Sequence, residues 1–209
     1  MSFLKSSLND FLKQIDSSSP TPGGGSASAL ASLVGVNLAR MVGHVTIKKK
    51  SFAKLEAKTQ KQFVEAFEAL QEIQAKLYPL VDEDAKAFDL VMQAYRLPKQ
   101  TPLEKATRIK KVQEATLKAT EVPLTVAKLS LDALMLLPPI LAYGNKNALS
   151  DVKVSMLELY TGIKGALFNV SINLPGISDG TTRHAFEKQI QLINKKLSDF
   201  IAQHPDVFA

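Results

Sequence analysis

Two carboxylates and two amides are the residues whose types and spacing could move a proton or hold a polar ligand. Asp84 stands in Val81-Asp82-Glu83-Asp84-Ala85-Lys86-Ala87-Phe88-Asp89, where Val81, Ala85 and Phe88 make an apolar helix face beside it. A carboxylate drawn towards such a face has its pKa raised by desolvation, which suits general acid or base work near neutrality. Pattern alone leans to a solvated position for Asp84, and Asp82 and Glu83 are expected to face water. Asp151 lies near a helix start, where the dipole favours an acid whether or not it reacts. Asn169 and Asn173 are four apart and share one face of an otherwise apolar helix. Buried amides need partners, so they either hold each other and nearby backbone or read a ligand's donors and acceptors.

A second candidate is the loop Ser19-Pro20-Thr21-Pro22-Gly23-Gly24-Gly25-Ser26. Three glycines free the backbone for positive φ and let a ligand approach without obstruction. Ser26 is expected to cap the helix that follows, whose first N–H groups form a positive end able to meet an anion or a polar edge. The same residues fit equally well a tight turn that lets two helices pack closely. No Gly-Lys-Ser/Thr follows, so the loop is not a phosphate-binding P-loop, and no strand precedes it as a dinucleotide fingerprint requires.

The remaining candidates are weaker. Lys48-Lys49-Lys50 and Lys110-Lys111 read either as solvated faces or as a surface that attracts a polyanionic small molecule. No aromatic residues interleave with them, so nucleic acid is not expected as a partner. The three histidines, His44, His184 and His204, form no His-x-x-x-His pair, and with no cysteine no metal site is expected. Asn145, in the polar turn Gly144-Asn145-Lys146-Asn147, is a further candidate ligand contact.

The elements that must position these residues are all helical. Apolar residues recur at helical spacing nearly everywhere and no segment alternates for long. Ala27, Ala31, Gly35, Ala39 and Gly43 form a ladder of small residues on which a second helix could close. Leu30, Leu33, Val34, Leu38 and Met41 fill the other faces, so this helix belongs inside a bundle. A long stripe from Leu55 to Val91 is expected to kink or divide at Pro79, and its successor at Pro123 and Pro138-Pro139. That successor opens at Thr101-Pro102-Leu103-Glu104, a capping box with proline at the first position. A helix over about 148–172 stops at Pro175-Gly176, and a last one starts at Thr181 or Thr182.

The 209 residues, net charge +6 and 45% hydrophobic content fit one globular domain, 1–209, with a sizeable core. The first fifteen residues mix charges among apolar ones, so a signal peptide is not expected and the cytoplasm is the expected compartment. The segment 27–45 is apolar enough to suggest a membrane span. Asn37 and Arg40 within it would be costly in lipid, so a buried central helix is the better reading. The expected fold is an all-α bundle of long, proline-broken helices without a sheet. Its apolar faces exceed what one small bundle covers, so it is expected to dimerise.

Taken in order, PTPGGGSASAL with Met41 and the run from Thr46 to Lys50, DEDAKAFDLVMQAYRLPK, Arg108 with Glu121-Val122-Pro123-Leu124, GNKNALSD and NVSINL resemble the cyclodeaminase/cyclohydrolase family. The likeness runs from the first helix to about Asp179. It implies a helical homodimer acting on one-carbon tetrahydrofolate, with no cofactor or metal beyond that substrate. Two reactions are implied: cyclodeamination of 5-formiminotetrahydrofolate to the 5,10-methenyl form, preferred here, or hydrolysis of that form to 10-formyltetrahydrofolate. A fold that binds folate or a partner helix without turnover is the third reading. Asp84 and Asp151 match motif positions, with Asp84 the first choice as proton shuttle. Gly23, Gly24, Gly25 and Ser26 would line the ligand, Lys48, Lys49 and Lys50 would meet a glutamate tail, and Asn145, Asn169 and Asn173 would complete the contacts.

Overall fold

Small residues decide the central packing of the computed structural model, which describes residues 3–208. Helix α2 (Gly24–Ile47) and helix α6 (Leu149–Asn173) lie closer together than side chains of ordinary size allow. A Cβ on Gly162 would fall 2.0 Å from Ser32 Oγ, one on Gly165 2.3 Å from Ser28 Oγ, and one on Gly35 2.8 Å from Leu159. The seam therefore runs through Ser28, Ser32 and Gly35. The ladder expected from the sequence began one residue earlier, at Ala27 and Ala31, which are only half-buried. Serines replace alanines in the seam because each hydroxyl finds a partner within reach. Ser28 and Ser32 donate to the carbonyls of Gly24 and Ser28, and Ser155 donates to the Gly35 carbonyl at 2.7 Å. Gly43 serves a different neighbour, since its Cβ would meet the Phe67 ring.

Around this pair pack α3 (Ala57–Tyr95) and α4 (Pro102–Met135), which form a long antiparallel hairpin. The shorter α1 (Leu8–Ile15), α5 (Leu137–Tyr143), α7 (Gly180–Gln203) and α8 (Pro205–Phe208) complete the chain, and no strand occurs among the described residues. Leu33, Val36, Leu70, Leu77, Leu134, Met156, Leu159 and Ile163 fill the core. The fold is the all-α bundle expected.

Not every local expectation survives. Pro79 and Pro123 lie inside uninterrupted helices. One missing backbone bond is outweighed by burial along both, with Leu77, Leu80 and Val81 around the first proline and Pro123 itself buried. Only Pro138-Pro139 coincides with a break, the junction of α4 and α5 at Leu136. The capping box is present, with Thr101 accepting from the Glu104 backbone and Glu104 accepting from that of Thr101. Helix α7 begins at Gly180, capped by Asp179 rather than by a threonine, and is followed by the short α8.

Helix α2 and the α4–α5 segment are long and apolar enough to cross a membrane, but half of each apolar window is buried against other helices. Arg40, the most costly residue for a span, is buried against α3. It donates to the Phe67 carbonyl at 2.8 Å and to Gln71 at 3.1 Å, with its guanidinium over the Phe67 ring. The burial of α2 is one-sided. Val34, Met41 and Val45 remain exposed along one stripe.

Candidate functional site

The start of α2 has no cap of its own kind. Gly23 occupies the capping position and offers no side chain, and Ser26, expected there, lies inside the first turn and is fully buried. Asp84 supplies what is missing. It reaches across from α3, and the Ser26 hydroxyl donates to its Oδ2 at 3.2 Å. The carboxylate thus sits against the positive end of α2.

The glycines are needed for space rather than for unusual backbone. No residue among those described has positive φ, which removes the reason first given for them. Gly25 is the strict case, since its Cβ would overlap both Asp84 oxygens. Gly24 is looser, its Cβ 3.4 Å from the Asn169 amide.

Burial pushes the Asp84 carboxyl above the usual aspartate range, with the Ser26 hydrogen bonds opposing that rise. The apolar neighbours in the motif therefore do what the pattern allowed, and the solvated reading of Asp84 is replaced by a half-buried one. Asp82 also departs from expectation, because it accepts the Phe3 N–H at 2.6 Å.

Asp84 opens into a cleft of about 280 Å³ lined by Pro20, Thr21, Gly23–Gly25, Phe88, Val91, Ala119, Asn169, Ile172 and Asn173. The two asparagines do not bond each other. Asn169 donates to the Gly165 carbonyl and Asn173 to that of Ala119, which leaves each Oδ1 available to a ligand. Phe88 and Val91, which sequence reading did not assign to the site, are one and two turns from Asp84, and that spacing could have found them. Ala119, from α4, carried no signal at all.

The other predicted residues lie elsewhere. Asp151 is in the first turn of α6, about five turns from Asn169, so the structure does not bring it to Asp84. Lys48, Lys49 and Lys50 follow the far end of α2, roughly 36 Å along the helix from Gly24. Lys49 donates there to Asn145 Oδ1 at 2.8 Å, and the Asn145 N–H bonds Thr46. The sequence candidates thus form two clusters at opposite ends of one helix. No group of three or more potential metal ligands occurs among the described residues.

The sequence profile of the formiminotransferase-cyclodeaminase family matches residues 7–192. The chain belongs to that family. It is 40% identical over 172 residues to a methenyltetrahydrofolate cyclohydrolase of Methylorubrum extorquens, covering 82% of this chain and 81% of that protein. It is 37% identical over 194 residues to the formimidoyltransferase-cyclodeaminase of Rattus norvegicus, covering 91% of this chain but only 35% of the rat protein. Among solved structures, a formiminotetrahydrofolate cyclodeaminase from Thermotoga maritima superposes with a TM-score of 0.83 at 26% identity, over 98% of this chain and 96% of that one. The family is one of folate one-carbon enzymes, and the match covers every element that lines the Asp84 cleft.

Proposed function

We propose that this chain closes the one-carbon bridge of tetrahydrofolate by cyclodeamination, with Asp84 as the proton shuttle. One observation carries the reading. In a family of folate enzymes, a carboxyl of raised pKa is held at a helix start inside a cleft whose amides have free acceptors.

In the reaction the 10-nitrogen attacks the formimino carbon on the 5-nitrogen, forming the second carbon–nitrogen bond of a five-membered ring. The 10-nitrogen must lose a proton and the departing amine must gain one, after which the carbon–nitrogen bond to ammonia breaks. A single carboxyl between the two positions takes the first proton and delivers the second. Its raised pKa brings it closer to the operating pH, where such transfer contributes about 10²–10⁴-fold. Holding the two nitrogens in one conformation adds the advantage of intramolecular attack. Asn169 and Asn173 offer acceptors to the N–H groups of the pterin ring, and the open approach over Gly24 leaves room for its edge.

The Thermotoga cyclodeaminase, matched over nearly its whole length, supports deamination by a chain of this size. The similarity to the Methylorubrum cyclohydrolase supports a second reading, in which water attacks the methenyl carbon and Asp84 takes the water's proton. Incubation with 5-formiminotetrahydrofolate distinguishes them. Deamination releases ammonia together with the absorbance of the methenyl product, whereas the hydrolase bleaches added methenyltetrahydrofolate and releases no ammonia. Inactivity on both substrates overturns the assignment.

A further inference from the structure

Pro123 lies inside α4 and has no backbone N–H to give. In a regular helix the N–H of residue 123 bonds the carbonyl of Ala119, so that oxygen is left without its usual donor. Ala119 lines the Asp84 cleft, and its carbonyl accepts instead from Asn173 Nδ2 of α6 at 2.8 Å. Pro123 itself is buried and is not among the residues lining the cleft. A proline one turn away from the cleft thus decides what a cleft amide can hold.

The two cleft asparagines differ in this respect. Asn169 Nδ2 bonds the Gly165 carbonyl at 2.9 Å, four residues back in its own helix, an oxygen that also serves the backbone of α6. That bond needs nothing from the rest of the fold. Asn173 depends on a second helix, and its anchor is free because α4 has a proline at one position. The segment after Asn173 is fastened separately. Gln113 donates to the Gly176 carbonyl at 2.9 Å and accepts from the Ser178 N–H at 2.9 Å and its hydroxyl at 2.8 Å. A change at residue 123 therefore reaches the Asn173 amide and leaves the chain beyond it in place.

We infer that Pro123 is a positioning residue of the cleft, freeing the Ala119 carbonyl to anchor Asn173 Nδ2 so that Oδ1 stays the free end of the amide. With Nδ2 committed, the amide cannot flip end for end, and a ligand meets a fixed acceptor there. An N–H at residue 123 would claim the Ala119 oxygen and draw it back along the axis of α4. Asn173 would then turn freely, and a ligand would have to order it on binding. The consequence for affinity rests on the folate reading; the hydrogen bond does not.

The bond is tested without any ligand. In Pro123→Ala the side-chain amide signals of Asn173 in a nitrogen-correlated NMR spectrum, assigned by their loss in Asn173→Ala, move towards those of a solvated asparagine. Unchanged signals overturn the inference. Pro123→Val restores the same N–H with more of the buried volume kept, and takes the place of the alanine variant if that one does not fold. Pro79, exposed inside α3, is the control. Pro79→Ala repairs a helix in the same way and should leave the Asn173 signals as they are; an equal change there overturns the inference.

Titration calorimetry with 5-formyltetrahydrofolate, a stable folate, reads the consequence. The affinity of Pro123→Ala should fall about three- to tenfold, the range of one neutral hydrogen bond, with kcat on the substrate within roughly twofold. In an Asn173→Ala background the same substitution should cost nothing more, because its route is gone. An equal loss in both backgrounds means that Pro123 acts through general packing, and this or an unchanged affinity overturns the inference. A wild-type protein that binds no folate removes the functional reading, while the amide signals still report the bond.

Discussion

A methyl group on Gly25 would lie 2.0 Å from Asp84 Oδ1, so the start of α2 and the carboxylate on α3 touch only because residue 25 has no side chain. The contact lets Asp84 receive the Ser26 hydroxyl while remaining open to the cleft. Gly25→Ala is expected to push the carboxylate aside and keep the helices. A displacement near 1 Å costs on the order of 10²-fold in turnover. Steady-state kinetics with circular dichroism as a control for folding checks this, and normal turnover would show that the cleft adapts.

Asp84→Asn keeps the shape but cannot carry a proton. Turnover should fall by about 10²–10⁴-fold with KM little changed. A variant that binds weakly and reacts at the normal rate would make Asp84 a binding residue instead.

The same substitution has an expected effect on stability with a definite sign. The folded pKa of Asp84 is raised above its unfolded value, so the folded state holds this proton more tightly. The stabilisation from that proton is present at low pH and lost as pH rises through the folded pKa. Removing the charge should therefore raise the melting temperature relative to wild type at neutral pH and lose that advantage towards acid. The turnover of the wild type follows the opposite limb, rising as Asp84 ionises at a pH above that of an ordinary aspartate. Thermal melts of both proteins from pH 4 to 8 test the first part, and a pH–rate profile tests the second.

Asp151 stands about five turns of α6 away from the cleft, and the helix dipole accounts for an aspartate in that first turn. Asp151→Asn should leave turnover within roughly twofold, the span of an ordinary surface substitution. A large loss would give the α6 N-terminus a part in the reaction.

Gly162→Ala should destabilise the fold by about 1–3 kcal/mol, because its methyl would meet Ser32 Oγ where α2 and α6 close. Adding Ser32→Ala removes that oxygen, so the double variant should be more stable than the sum of the two losses. Denaturant melts of all four proteins measure the coupling. Simple additivity would mean that the helices separate freely.

Helical spacing, the Thr101 capping box and the glycine run made the all-α class and most helix boundaries legible, because these depend on neighbours within a turn or two. The order of motifs was enough to point to the family, but the apolar flank of Asp84 only allowed a raised pKa, and pattern alone leaned to a solvated position. Contacts between distant segments were not legible. Nothing local says that the acid at position 84 caps a helix beginning at 24, that the small-residue seam runs through Ser28 rather than Ala27, or that Pro79 and Pro123 sit inside continuous helices. Nor does the sequence separate candidates by location. Asp151, Asn145 and Lys48–Lys50 have the right chemistry, and the length of α2 and α6 carries them to the other end of the bundle. Residue type and spacing therefore set the secondary structure and the chemistry at hand. Packing across sequence separations of tens of residues decided which groups meet, because burial and close approach are properties of the assembled helices.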